Sequence, residues 1–254
     1  MLSGGFEPFR FALAALAGLL IGVAKTGVPG FGILAVPLMV LAVGDARHAA
    51  GWLLPLLCLA DLFAIAQYRR HADARRLFDL LPWVLGGIAV GFVTLAAPER
   101  PLRLLVAAIV IVMIGLRLWA RRAAVGQTGA PATPRRERWW QAAGYGVSAG
   151  FATTVANAAG PVMNLYLLAR RLPKHEFVAT GAWFFFVVNL LKLPIYRWRH
   201  LIDRRSLMFD LALAPAVVAG ALLGRVLLRR MPQGLFDRLV VALTICAAAL
   251  LLIH

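Results

Sequence analysis

The sequence predicts an all-α, polytopic membrane protein. Hydrophobic residues make up 61% of its 254 residues and charged residues 15%, and the mean hydropathy is +0.80. A soluble domain has about 45–50% apolar and about 25% charged residues. Here the charged residues cluster between long apolar stretches. The composition and this clustering together exclude an ordinary soluble domain.

Six apolar stretches are long enough to cross a bilayer as a helix, which takes about 20 residues. They are 49–68, 77–97, 102–119, 176–196, 207–228 and 235–253. Two further apolar regions, 9–43 and 139–172, are interrupted at 25–30 and at 157–161. The first interruption leaves pieces of about 16 and about 13 residues, each short of a full crossing. Such pieces are typical of re-entrant segments.

The chain is predicted to contain two related halves. Gly22-Val-Ala-Lys-Thr matches Gly150-Phe-Ala-Thr-Thr, and the same shift pairs Asp61 with Asn189. Each half therefore has one broken element followed by three full helices, an organisation characteristic of secondary transporters. The predicted domains are a first repeat, 1–119, a polar linker, 120–138, and a second repeat, 139–254. Segment length favours inverted repeats, although the loop charges fit a parallel arrangement equally well.

The excess of basic residues has a topological explanation. The net charge is +16, which in a soluble protein would suggest a nucleic-acid partner. Most of the arginines lie in short loops, where basic residues fix membrane topology, so no nucleic-acid partner is expected. Cys58 and Cys246 lie in apolar spans and are interpreted as packing residues. No metal-ligand cluster and no cofactor motif is found, and no HExxH, GxSxG or paired carboxylates indicate an enzyme.

The two interruptions are the candidate substrate site. Broken helices persist at membrane depth only where protein or a water-filled cavity covers them. A helix starting at Gly30 or at Pro161 would direct free N–H groups and a positive dipole end toward the break, which favours an anion. Lys25 would add a full positive charge, unless it lies near an interface and extends into the headgroups. Two breaks at corresponding places in two halves are the best sequence indication of a transport site.

Other polar residues within the spans have alternative interpretations. Asp61 is predicted to pair with Lys25 or to take up a proton, and a neutral packing role is the alternative. Trp183 is a candidate cavity-lining residue, and Lys192 is expected to extend toward an interface. Asp79 and Asp210 are expected to reach water near span ends. Four glycine pairs are explained by helix packing: Gly18/Gly22, Gly87/Gly91, Gly146/Gly150 and Gly220/Gly224.

The stretch Gly22-Val-Ala-Lys-Thr-Gly-Val-Pro-Gly-Phe-Gly-Ile-Leu-Ala-Val-Pro37 resembles the first-repeat motif of the TauE/SafE family, also called the TSUP or sulfite exporter family. Gly150-Phe-Ala-Thr-Thr-Val-Ala-Asn-Ala-Ala-Gly-Pro161 and Thr180-Gly-Ala-Trp-Phe-Phe-Phe-Val-Val-Asn-Leu-Leu-Lys192 resemble its second motif. The resemblance implies a transporter of sulfite or organosulfonates such as sulfoacetate in the bacterial inner membrane. It assigns these residues to the site: Lys25, Thr26, Gly27, Gly30, Thr153, Thr154, Asn157 and Gly160. Only the first half supplies a cation, because Lys25 corresponds to Thr153.

These observations predict a secondary transporter in which the broken elements meet at a central site and a small anion moves by alternating access. The expected partners are that anion and the lipid bilayer. The sequence is also compatible with a homodimer. Asp61, Trp183 and Asn189 are assigned to coupling or to the cavity lining. An anion channel built on the same dipoles and cation is the alternative, and a scaffolding subunit would leave the paired breaks without a purpose.

Overall fold

The predicted fold class is confirmed. A computed structural model describes residues 7–71, 74–94, 101, 104–115, 139–156 and 158–253. Within these ranges all regular elements are helices and no β-strand occurs. The predicted linker, 120–138, lies outside the described residues.

Ten α-helices are described. They are α1 (Pro8–Thr26), α2 (Ala35–Val43), α3 (Ala46–Tyr68), α4 (Ala74–Thr94), α5 (Leu104–Gly115), α6 (Trp139–Ala156), α7 (Ala159–Ala169), α8 (Lys174–Trp198), α9 (Arg204–Arg230) and α10 (Gln233–Ile253). Two 3₁₀ turns, Phe31–Leu34 and Arg69–His71, precede α2 and follow α3.

Local sequence signals explain several helix ends. Pro8 lies in the first turn of α1, where its missing N–H costs nothing. The α2 helix ends at Gly44, whose φ of 86° suits a residue without a side chain. Asp45 then caps α3 by accepting a hydrogen bond from the backbone N–H of His48 at 2.8 Å. Asp203 and Ser206 form a reciprocal capping box at the start of α9.

Six of the described helices are long and apolar enough to cross a membrane: α1, α3, α4, α8, α9 and α10. Five of them coincide with predicted spans, and the remaining prediction, 102–119, is described only as the shorter helix α5. The prediction that the piece before the first break falls short was wrong, because α1 continues through Lys25 and Thr26 to a length of 19 residues. The returning piece, Phe31–Val43, is short, as predicted.

The described helices divide into two compact units, each drawing segments from both halves of the sequence. Unit 1 comprises the described residues of Met1–Ala72 and Lys174–Phe236, and unit 2 those of Asp73–Pro173 and Asp237–His254. The apolar core of unit 1 is formed by α1, α2, α3 and α9, with Ile21, Met39, Leu53 and Leu213 among its fully buried members.

In unit 1, α1 and α9 run side by side in the same direction. Gly18 packs near Leu213 and Val217, and Gly27 packs near Gly224. A methyl group on Gly22 or Gly220 would overlap backbone atoms of the facing helix. The packing role predicted for these glycines is therefore confirmed, because only a hydrogen at Cα allows this approach.

The α3 helix also runs in the direction of α1. The ring of Phe209 contacts both Phe11, near the start of α1, and Trp52, near the start of α3. At the other end, the Tyr68 hydroxyl donates to the backbone carbonyl of Thr26 at 2.9 Å. The chain must therefore return between these two helices, and Phe31–Val43 is the returning arm of a helical hairpin.

The α8 helix packs antiparallel to α3. The rings of Tyr68 and His175 are 5.8 Å apart at one end of the pair. At the other end Gly51 lies against the backbone of Leu201. The Asp61–Asn189 shift makes α3 and α8 corresponding helices of the predicted repeats, so their opposite directions are those that inverted repeats require.

Unit 2 contains a similar pair of parallel helices, α4 and α6. Gly87 packs against the backbone of Val147, and Gly91 packs against Thr154 further along both helices. The following helix, α7, returns along α6, with the rings of Tyr145 and Tyr166 5.4 Å apart. A second helical hairpin is thus present around the second interruption.

Candidate functional site

A buried ion pair joins α1 to α3 in unit 1. The Lys25 ammonium lies 2.8 Å from Oδ1 of Asp61, and their side chains are 14% and 0% exposed. An unbalanced charge at the centre of a membrane helix costs at least about 2.5–3.5 kcal/mol, which an opposite charge offsets. Lys25 also lies in the last turn of α1, where the helix dipole favours a cation. The predicted pairing of Asp61 with Lys25 is therefore observed, and Lys25 does not extend to an interface.

The second oxygen of Asp61 is held by Asn189. The Asn189 amide donates to Oδ2 of Asp61 at 3.0 Å, and Asn189 is 95% buried. On the other side of the ion pair, the Lys25 ammonium lies 4.1 Å from the centre of the Phe185 ring, a favourable cation–π distance. Lys25 is thus held by a carboxylate and an aromatic face, while Asp61 is held by a cation and an amide.

Lys192 is a second buried lysine of unit 1, contrary to the prediction from sequence. It was expected to extend toward an interface, but it is only 9% exposed and lies 5.5 Å from the Tyr196 ring. It follows Asn189 by one helical turn, so both lie on the same face of α8. A compositional signal was available: the chain has 24 arginines and three lysines, and the structure buries Lys25 and Lys192 in unit 1.

Thr26 and Gly27, both predicted to bind substrate, are in contact with α9. The Thr26 side chain is fully buried, and its hydroxyl lies 2.7 Å from the carbonyl of Ala221 and 3.0 Å from that of Gly22. A Cβ on Gly27 would lie 2.7 Å from Gly224. Both residues therefore have a packing role at the end of α1, and their contact with a substrate stays a prediction.

The first interruption differs in detail from the predicted helix start at Gly30. Gly30 has a φ of 118°, which favours glycine, and the helix that follows begins as a 3₁₀ turn at Phe31. The N–H groups of Phe31 and Ile33 are used within the turn, bonding to the carbonyls of Val28 and Gly30. Fewer N–H groups are therefore free for an anion than an α-helix starting at Gly30 would offer.

The second interruption belongs to unit 2. The α7 helix begins at Ala159 rather than at Pro161, without a side-chain cap. Thr153 is 95% buried. The Thr154 hydroxyl donates to the carbonyl of Gly150 at 2.9 Å, and Gly160 faces open space. Asn157 lies outside the described residues. The substrate roles of these four residues stay predictions.

A comparison with known families decides the affiliation of the chain. The sequence profile of the sulfite exporter TauE/SafE family matches residues 14–251, which is nearly the whole chain. The protein belongs to the TauE/SafE family. No curated protein and no solved structure matches the chain. Membership of this transporter family identifies a multi-pass membrane protein that transports an anion and is not an enzyme, and six helices within the described ranges are long and apolar enough to cross a bilayer.

Two further residues of this TauE/SafE protein for which the sequence gives a prediction are Trp183 and Asp210. Trp183 is half-buried, with its ring 6.4 Å from that of Phe186, and its role in lining a cavity stays a prediction. Asp210 was expected to reach water, but it is only 5% exposed and both carboxylate oxygens lack a hydrogen-bond partner among the described residues. This expectation was wrong because the face of α9 that carries Asp210 is turned toward the interior of unit 1.

Proposed function

We propose that this TauE/SafE protein moves a small anion, sulfite or an organosulfonate, by alternating access, and that Asp61 couples this movement to a proton. The observation that carries the proposal is the ion pair between Lys25 and Asp61 inside a membrane span. Lys25 is the residue to which the anion would bind. In the described state its ammonium is occupied by the Asp61 carboxylate, so the anion must compete with Asp61.

This competition links anion binding to proton binding. While Asp61 is ionised, the pair carries no net charge and Lys25 has little attraction left for a further anion. When Asp61 takes up a proton, Lys25 becomes an unbalanced buried cation, which is costly in a membrane. A bound anion offsets that cost. Each ligand therefore favours the binding of the other, and this coupling is reciprocal. The proton and the anion move together, in the direction set by their combined gradients.

The neighbours of the pair suit an exchange of partners. The Phe185 ring contacts the Lys25 ammonium independently of the carboxylate, so it can hold the cation in place while one anion replaces another. Asn189 has both a donor and an acceptor in its amide. It donates to ionised Asp61 in the described state, and by rotating the amide it could accept a hydrogen bond from protonated Asp61.

The helix directions support a transporter. The corresponding helices α3 and α8 are antiparallel, and the corresponding residues Asp61 and Asn189 are in direct contact. Inverted repeats of this kind, with polar groups at their interface, are a common architecture of secondary transporters. The two helical hairpins, α1–α2 and α6–α7, agree with the re-entrant elements on which the inverted arrangement depends.

Reconstitution into liposomes tests this proposal. With the wild type, a more acidic external pH should drive accumulation of sulfite or of an organosulfonate. The Asp61→Asn variant should lose this accumulation while keeping anion exchange, because asparagine mimics the protonated carboxyl. Asp79→Asn, which changes an exposed carboxylate, is the matched control. If Asp61→Asn accumulates the anion like the wild type, the coupling is wrong.

Two further measurements separate the parts of the proposal. Lys25→Ala in the Asp61→Asn background avoids leaving a lone buried carboxylate, and it should weaken anion binding at least tenfold. Unchanged affinity would refute the assignment of Lys25. Single-channel recording in planar bilayers tests the channel alternative, because unitary currents would contradict alternating access. Saturable counterflow of the anion would support alternating access.

A further inference from the structure

We propose that Asn164 donates a hydrogen bond to the transported anion at the start of helix α7. The proposal rests on the proposed function, because its ligand is the same oxyanion, and it adds a contact for that oxyanion in unit 2. Asn164 lies three residues beyond Pro161, where the second motif ends, so the family resemblance assigns it no role.

The start of α7 has backbone donors that no described residue uses. The helix begins at Ala159 without a side-chain cap, and the preceding N–H, that of Ala158, bonds to the carbonyl of Ala152. The N–H groups of Ala159 and Gly160 lie in the first turn, where a helix has no carbonyl to offer them. Neither group has a hydrogen-bond partner among the described residues. These N–H groups and the positive end of the helix dipole favour an anion.

Asn164 adds a buried side chain whose hydrogen-bonding groups are unused. Asn164 is 96% buried, and its amide makes no hydrogen bond to the part of the chain that the structure describes. The amide provides two N–H donors and one acceptor oxygen. Because buried amides in native proteins are normally hydrogen-bonded, one without a partner in the protein requires an explanation. An oxygen of the transported anion is a partner that would satisfy it.

The Asn164 side chain is directed toward the start of its own helix. It follows Gly160 by four residues, so the two residues share one face of α7. A helical side chain leans toward the N-terminus and covers the turn before its own Cα atom. That turn contains Gly160, and a methyl group placed there would meet no described atom within 4 Å. The Asn164 amide and the free N–H groups therefore border the same open space.

The donors of the second hairpin are neutral. The sequences of α6 and α7 contain no charged residue. Thr153, which is 95% buried, adds a hydroxyl to the same region. It lies level with the start of α7, as the contact between the Tyr145 and Tyr166 rings shows when equal numbers of residues are counted along both helices. Several neutral donors at separate positions suit the separate oxygens of sulfite or of a sulfonate group.

Asn164→Leu tests this role, because leucine has nearly the same size and no hydrogen-bonding group. Dissociation constants for sulfite and for sulfoacetate are measured on the full-length protein in lipid nanodiscs, and thermal unfolding is recorded without ligand. The affinity should fall about tenfold or more, as expected for the loss of a hydrogen bond to a charged group. The unfolding temperature without ligand should stay the same or rise, because the amide has no partner to lose. Asn164→Asp should bind still more weakly at neutral pH, since a carboxylate repels the anion.

Met163→Leu is the matched control on the neighbouring buried residue, and it should change neither quantity. The proposal is overturned if Asn164→Leu keeps the wild-type affinity. It is also overturned if the unfolding temperature without ligand falls together with the affinity, as a structural role would require. Lys25→Ala in the Asp61→Asn background separates the two proposals, because a loss of affinity there supports the proposed function whatever Asn164 does. If neither ligand binds saturably to the wild type, both proposals fall.

Discussion

Asn189 donates a hydrogen bond to Asp61 at 3.0 Å, and the two residues occupy corresponding positions in the two predicted repeats. A carboxylate is acceptor-only, whereas an amide can also donate. The Asn189 amide therefore provides the donor that the Oδ2 atom of Asp61 needs, and the Oδ1 atom of Asp61 pairs with Lys25. The polar centre of unit 1 depends on this difference between two corresponding residues.

The first prediction concerns that hydrogen bond. Asn189→Leu should lower the free energy of unfolding by about 1.5–3 kcal/mol, because the bond is made to a charged group in a buried setting. The measurement is chemical or thermal unfolding in detergent at neutral pH. In the Asp61→Asn background the same change should cost clearly less, since no carboxylate is left to stabilise. Equal costs in the two backgrounds would show that Asn189 acts by packing alone.

The second prediction uses two adjacent glycines of α4. Gly87 faces the backbone of Val147, whereas Gly86 faces open space. Gly87→Ala should lower stability by about 1–3 kcal/mol through overpacking of α4 against α6. Gly86→Ala should be neutral or should gain up to about 1 kcal/mol, because alanine favours the helix. Thermal unfolding of the two variants side by side gives the comparison, and an equal loss for both would refute the packing explanation.

Asp210 provides the third prediction. Its carboxylate is buried and has no hydrogen-bond partner among the described residues, so Asp210→Asn removes no favourable contact. The variant should unfold at the same temperature as the wild type or at a higher one. Asp203→Ala on the same helix is the control, and it should cost about 1 kcal/mol by removing the N-cap. A lower unfolding temperature for Asp210→Asn would reveal a partner in another state of the protein.

The fourth prediction uses Cys58 as a reporter of solvent access. Its side chain is buried one turn from Asp61 on α3. In a Cys246→Ser background, a small water-soluble thiol reagent should label Cys58 slowly at rest and several times faster during anion exchange, because alternating access must open the site to water. Cys58→Ala in the same Cys246→Ser background leaves no cysteine and gives the background rate. A labelling rate that does not respond to the anion would contradict the opening of this region.

Most of the fold was predictable because membrane spans depend on local composition. Five of the six predicted stretches coincide with helices long enough to cross the bilayer. The sequence predicts too short a helix α1, because Lys25 and Thr26 lie within the predicted interruption at 25–30. Both are helical because α3 supplies a carboxylate and α9 supplies a carbonyl, and such contacts between distant segments are not visible in a window of sequence.

The candidate site was predictable in part for the same reason. A charge inside an apolar stretch is costly wherever the stretch lies in the membrane, so Lys25 and Asp61 could be selected from sequence alone. Lys192 and Asp210 were assigned to interfaces because they lie near span ends. Their burial depends on which helix face is turned toward α3 or α1, and that orientation is set by packing between helices from different halves.

The contact between Asp61 and Asn189 also bears on how such a chain could arise. A dimer of identical single-repeat chains would bring this position against its own copy across a two-fold axis. Two aspartates there would repel each other, and two asparagines would leave Lys25 without a counter-charge. Fusing the copies into one gene lets the two positions mutate separately, so one can stay acidic while the other becomes its donor. A fused duplicate can acquire this asymmetry, whereas a symmetric dimer of identical chains cannot.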